Sequence, residues 1–253
     1  MLQKLKILWI TLLAVFLTCF LLFEYMDESL PEGQLGDEAD ALAQKMLTSI
    51  NDKAWQNTGA VSWGYDDRTY IWDRKRHLTE VNYEGHQVLL DLNNRLGVIV
   101  GVNNELTEEE KKEICHWAWR YWCNDSFWLN PISKVFDPGT ERRLVDWHGQ
   151  KTLLVTYTSG GSTPGDSYLW ILDQNGRPTS WKLWVSIIPI GGMRFSWDKW
   201  VELETGVMIS TYHFNMVKTI PLHNPVGKTE LMEMVGRDIF GPILNASTEL
   251  VSF

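Results

Sequence analysis

The chain has 253 residues with 23 Lys and Arg against 32 Asp and Glu, a formal net charge of −9, and no basic run; this excludes a nucleic-acid footprint and electrostatic docking on anionic lipid. Apart from an apolar N-terminal stretch and a polar segment after it, the length suffices for one domain that buries its core without disulfides or metal. Fourteen tryptophans are several times ordinary usage, and rings with one polar edge concentrate in pockets and interfaces as well as in cores.

Residues 1–6 hold Lys4 and Lys6, and the next seventeen, Ile7 to Phe23, carry no charge. That length sits at the short end of a membrane span and exceeds a signal-peptide core. Leu22, Phe23, Glu24 and Tyr25 are all large, so no small-residue cleavage site closes the stretch and it is expected to stay attached. Cys19 follows Thr18 and Phe16, poor neighbours for lipid attachment. Lysines before the stretch and Glu24, Asp27 and Glu28 after it place the N-terminus in the cytoplasm. The expectation is a single-pass anchor of the cytoplasmic (inner) membrane, residues 7–23, whose partner is the bilayer, bearing an extracytoplasmic, periplasmic domain over 38–253.

Residues 24–37 are acidic, carry Pro31, Gly33 and Gly36, and read as a flexible tether. Ala39, Leu42, Ala43, Met46, Leu47 and Ile50 then recur at helical spacing behind Asp37. Alternating runs follow, Val61-Trp63-Tyr65, Tyr70-Trp72, Leu78 and Val88-Leu90-Leu92, separated by turn chemistry at Asp66-Asp67, Lys75-Arg76, Glu84-Gly85 and Asn93-Asn94: an antiparallel meander. Thr107 to Cys123 reads as a second helix with Thr107 and Glu110 as its capping box and Ile114, Trp117, Ala118, Tyr121 and Trp122 on one stripe. Strands are expected at 141–147, 151–158, 167–173, 179–187, 193–201 and 206–216, with a short helix near 229–237 and a loose C-terminus. The fold class is mainly β with α: a curved antiparallel sheet or incomplete β-barrel covered by helices, plus the N-terminal transmembrane helix.

No catalytic or metal constellation stands out, and no cofactor is expected. Cys115 and Cys123 are eight residues apart on one helix, about 12 Å, too far for a disulfide. The six histidines show no pair at metal-ligand spacing. The loop Ser159-Gly160-Gly161-Ser162-Thr163-Pro164-Gly165-Asp166 has Pro164 where a hydrolase elbow needs glycine, and lacks the lysine of a phosphate loop. It reads as a connector whose Asp166 caps nearby amides. Hydrolysis would require a histidine, His213 being the best placed, beside Ser159 or Ser162. Asn124-Asp125-Ser126 and Asn245-Ala246-Ser247 match a glycosylation acceptor, a triplet that arises often by chance. In Tyr168–Leu172, Trp181–Val185 and Phe195–Trp200 both strand faces carry large apolar groups, so the sheet is covered outside and filled or hollow inside.

Tyr70 and Trp72 in an aromatic strand phrase, then Gly85, Val88 and Leu90 in a later strand after a glycine turn, all behind an amphipathic helix, resemble the start of periplasmic lipoprotein-carrier proteins of the LolA/LolB type. The resemblance implies an incomplete barrel closed by helices that holds an acyl chain without covalent chemistry. On that reading Trp63, Trp72, Trp117, Tyr121, Trp170, Trp181, Trp184 and Trp197 line the interior, and Ser159, Ser162, Asp166 and His213 form a polar rim. The expected function is membrane-anchored, non-catalytic binding of a lipid or of the acyl chain of a lipidated partner. The alternative is a structural or interaction subunit of an envelope complex, its protein partners unidentified, with a hydrolase third. An interior filled solid by the tryptophans, with no pocket, would sink the lipid-binding reading.

Overall fold

The computed structural model describes residues 2–101, 106–159, 163–245 and 250–253. Helix α1 spans Leu2–Met26, and its Trp9–Met26 part is long and apolar enough to cross a membrane by length and composition. Helices α2 (Asp37–Ser49) and α3 (Asp52–Asn57) precede strands β1 (Ala60–Tyr65), β2 (Arg68–Asp73), β3 (Leu78–Tyr83), β4 (His86–Asp91) and β5 (Leu96–Ile99). After α4 (Glu108–Leu129) and a 3-10 turn (Ile132–Lys134) come β6 (Thr140–Trp147), β7 (Gln150–Tyr157), β8 (Ser167–Leu172), β9 (Pro178–Trp184) and β10 (Met193–Ser196). The chain continues through β11 (Asp198–Glu202), β12 (Met208–Phe214), β13 (Thr219–Lys228), α5 (Leu231–Val235), α6 (Gly241–Asn245) and β14 (Val251–Ser252).

All named strand pairs are antiparallel. They form a nine-stranded sheet, β11-β12-β13-β1-β2-β3-β4-β5-β14, and a five-stranded sheet, β10-β9-β8-β7-β6. Only Trp197 separates β10 from β11 in the chain, and Phe214 N donates to Ser196 Oγ at 3.2 Å. The two sheets therefore meet along this seam. The barrel is not closed: β6 and β14, the far ends of the strand order, do not pair.

Several boundaries differ from the sequence reading, each for a local reason. The strand expected over 193–201 breaks at Trp197, where the chain changes sheets, and that over 179–187 stops at Trp184. Strand β13 falls in 217–228, for which no element was expected; it accommodates Pro221 and Pro225 with an irregularity opposite Trp63, where Asn224 takes φ 46°. Helix α4 runs past Cys123 to Leu129 because Asn124-Asp125-Ser126, turn-like in isolation, has its polar groups satisfied inside the helix packing.

The largest core lies on the sheet face covered by α2, α3 and α4. A smaller one joins Ala60, Leu78, Leu89 and Val98 to Leu231, Phe240 and Ile243 on the opposite face. A third, Val145, Leu154 and Leu169 flanked by Trp147 and Trp184, is bordered by the segment expected to be a free tether. That segment is docked. Asp27 Oδ1 accepts from Gly191 N at 2.6 Å, Glu28 pairs with the buried Lys182 and its carbonyl accepts from Trp184 Nε1 at 2.6 Å. Farther on, Gln34 and Leu144 exchange both backbone hydrogen bonds, 2.9 and 2.8 Å. Gly33 makes the approach possible, since a Cβ there would stand 2.8 Å from Val145 Cγ2.

Candidate functional site

The site grows from α4. Its start is fixed as the sequence indicates: Glu110 N donates to Thr107 Oγ1 at 3.2 Å and Thr107 N to Glu110 Oε2 at 2.8 Å, with Glu108, Glu109 and Glu110 at the positive end of the helix. The buried positions Cys115, Ala118, Asp125, Ser126 and Leu129 recur at three and four, so one face meets the sheet. Small residues set the separation: a Cβ on Gly97 of β5 would lie 2.6 Å from Cys115 Sγ.

Over the nine-stranded sheet this face is aromatic with one charged insert. Trp63 stacks on Tyr70 at 4.7 Å, Trp122 meets the edge of Trp72 at 5.5 Å, and Tyr121 packs on Tyr83 at 5.2 Å. Between them the fully buried Asp125 accepts from Arg68 Nε at 2.8 Å and from the Tyr70 hydroxyl. The Arg68 guanidinium also lies over the Tyr121 ring at 4.7 Å. Burial and the Asp125 charge push the Tyr70 phenol well above its ordinary pKa.

Over the five-stranded sheet the centre is Trp181. Its ring centroid lies 4.6 Å from Tyr168, 4.8 Å from Trp170 and 5.0 Å from each of Trp128 and Trp197. His213 stands at 4.3 Å from Trp197 and 5.3 Å from Trp128, its Nδ1 3.3 Å from the Ser196 carbonyl. Burial lowers its pKa to about 4, so the imidazole stays neutral near pH 7.

Rings at these separations pack against one another beneath α4. Two shallow depressions lie on the surface. One, of about 230 Å³, is lined by Val201–Glu204 and Pro225–Gly227; the other, of about 460 Å³, lies between Asp27–Leu30, Pro164–Asp166, Val185 and Gly191. Beneath the aromatic surface, however, the indole N–H groups of Trp63, Trp72, Trp122, Trp170, Trp181 and Trp197 have no acceptor among the described residues, nor is His213 Nε2 partnered among them. A buried donor left unpaired costs on the order of 1–3 kcal/mol.

The residues expected to line a cavity divide. Trp63, Trp72, Tyr121, Trp170, Trp181 and Trp197 belong to the core under the helices or pack against it. Trp184 points to the opposite face, as strand alternation after Trp181 requires, and is covered by Glu28. Trp117 is 40% exposed, with Arg120 over its ring. The rim candidates do not assemble. Asp166 accepts from Thr163 Oγ1 at 2.5 Å and Ser186 N at 3.0 Å, Ser159 Oγ lies against Gly139, and His213 is walled in by Trp128 and Trp197. Ser162 lies outside the described residues, as do most of the Asn245-Ala246-Ser247 triplet and the Cys19 side chain. Among the described residues no Ser159–histidine hydrogen bond forms, and no cluster of three His, Cys, Asp or Glu side chains could hold a metal. Arg68, Asp125, Phe127 and Trp128 were missed; the available signal was Asp125 falling four residues beyond Tyr121 on the apolar stripe.

No family model and no curated protein matches the chain. Among solved structures it is similar to a DUF1329 family protein from Desulfovibrio piger, with 8% identity, TM-score 0.37 and coverage of 81% of this chain and 97% of that one. It is also similar to a putative outer membrane lipoprotein-sorting protein domain from Vibrio parahaemolyticus, with 10% identity, TM-score 0.33 and coverage of 80% and 98%. The β architecture with covering helices rests on this chain's own strand pairing and core.

Proposed function

We propose that this chain is a single-pass membrane protein whose extracytoplasmic β domain binds an apolar ligand bearing oxygen acceptors, a lipid or the acyl chain of a lipidated partner, without catalysis. The observation that carries the reading is the set of six buried indole N–H groups without an acceptor among the described residues, all within one or two rings of α4. A core built for stability alone would pair such donors or use phenylalanine. Ester carbonyls among methylenes match this lining, donors among rings. Because these rings are in contact, binding on this reading requires α4 to move away from the sheet. An interface with unmet hydrogen bonds costs less to open than the same interface with them paired.

The test is native mass spectrometry with lipid extraction on residues 27–253, which retain the docked segment, purified without detergent. A co-purifying acyl compound lost in Trp170→Asp or Trp181→Asp supports the reading, with circular dichroism confirming that the variants fold. A clean apo mass, unchanged after incubation with lipid vesicles, moves the assignment to the second reading, an interaction subunit. The ring-to-ring packing beneath α4 favours that alternative.

A further inference from the structure

Between β9 and β10 the chain makes a hairpin, Val185-Ser186-Ile187-Ile188-Pro189-Ile190-Gly191-Gly192, without a charge. Ile187 is 68% exposed, and Ser186 and Pro189 are exposed beside it. Val185 and Ile188 pack against the main core and Ile190 is half-buried, so Ile187 is the isoleucine that the packing leaves to solvent. The loop's base is tied to the foot of α1: Gly191 N donates to Asp27 Oδ1 at 2.6 Å and Glu28 N to Gly191 O at 3.1 Å. Helix α1 ends at Met26, three residues beyond Phe23, or about 4.5 Å at the helical rise. The head-group layer is roughly 5–7 Å deep on each side of the hydrocarbon.

We infer that the 185–192 hairpin is a second membrane contact, its exposed Ile187 seated in the head-group and acyl boundary beside the anchor. The inference rests on α1 spanning a bilayer, as proposed above. An uncharged apolar tip held at that height exchanges water for lipid, and the exchange is favourable in proportion to the apolar area removed from water. The neighbouring β12–β13 hairpin points the same way, because β12 runs antiparallel to β11 and continues beside β10. Its tip exposes Met216 at 96% and Val217 at 85%, followed by Lys218. With residues 27–34 docked on the sheet, the domain is held at one orientation to the membrane, resting on these tips.

The test uses the full chain with Cys19→Ala in phosphatidylethanolamine–phosphatidylglycerol vesicles. Ile187→Cys, Met232→Cys and Phe16→Cys are labelled singly with the fluorophore NBD in a background that also carries Cys115→Ala and Cys123→Ala, its fold checked by circular dichroism. The expected result is a blue-shifted label at 187, quenched by doxyl-lipid and protected from aqueous dithionite, with the label at 232 open to dithionite. A lipid-quenched label at 16 with an aqueous label at 187 overturns the inference and leaves the anchor standing. Protection at 187 without quenching by lipid also overturns it, because protein then covers the loop. An aqueous label at 16 removes the anchor and the inference together.

Discussion

Arg68 of β2 and Asp125 of α4 form an ion pair inside the protein, Nε to Oδ2 at 2.8 Å, with the side chains 14% and 0% exposed. It is the charged tie between the covering helix and the sheet. Removing one partner strands the other charge away from water, which costs about 3–5 kcal/mol, whereas replacing both with apolar residues of like size is often near neutral. Asp125→Ala is therefore expected to destabilise the domain by that order in denaturant unfolding. Arg68→Met with Asp125→Leu should recover most of the loss. A single variant as stable as the parent would show that the tie does not hold α4.

His213 sets a pH dependence. Its pKa falls from an ordinary 6.5 to about 4 in the folded protein because burial disfavours the imidazolium. The unfolded chain thus binds a proton first as pH drops, so stability is fully present above about 6.5 and is lost progressively down to about 4. The whole contribution is of order 3 kcal/mol. Thermal unfolding between pH 7.5 and 4 should show this slope, and His213→Gln should flatten it. Equal slopes in both proteins would assign the pH response elsewhere.

The segment from Asp27 to Leu35 is predicted to peel away when Gly33 gains a side chain. Gly33→Val places methyl groups where Val145 Cγ2, Arg143 Cβ and the Leu144 carbonyl already lie within 3 Å of a Cβ. Exchange of the Gln34 amide, held by Leu144 O at 2.9 Å, should accelerate, and proteolysis within 27–36 should appear. The core beneath α4 should keep its protection. Unchanged exchange at Gln34 would mean that the segment is held by Glu28, Lys182 and Trp184 alone.

The sequence made the periodic elements readable because burial on one face imposes a period: two for Val61-Trp63-Tyr65, three to four for Ala39 to Ile50. It made the cap of α4 readable because Thr107 and Glu110 act on each other. What escaped depends on partners distant in sequence. Pro221 and Pro225 look like loop until β1 supplies an irregular register, and Asp125 looks like a helix end until Arg68 and Tyr70 supply its hydrogen bonds. The acidic segment after α1 looks unbound because its contacts, Lys182 and Leu144, lie more than a hundred residues away. Trp181 and Trp184 show the limit for the site itself. Both read as lining, yet alternation places them on opposite faces, and which face is interior is fixed only by where α4 docks.

Cys115 and Cys123 provide the sharpest test of whether α4 moves. Burial pushes both thiols up to about 12, so at pH 7 almost no thiolate is present and a disulfide reagent attacks only when the helix face is uncovered. Cys115 is fully buried against Gly97, and its labelling requires α4 to leave β5. If binding proceeds by opening, acyl-lipid vesicles should accelerate the reaction of Cys115 in residues 27–253 while the circular dichroism of the sheet is unchanged. Asp125→Ala should accelerate it without lipid, by loosening the same helix. Should Cys115 react only at the rate of global unfolding, with the same denaturant dependence and no response to lipid, α4 is a fixed part of the core and the ligand reading falls.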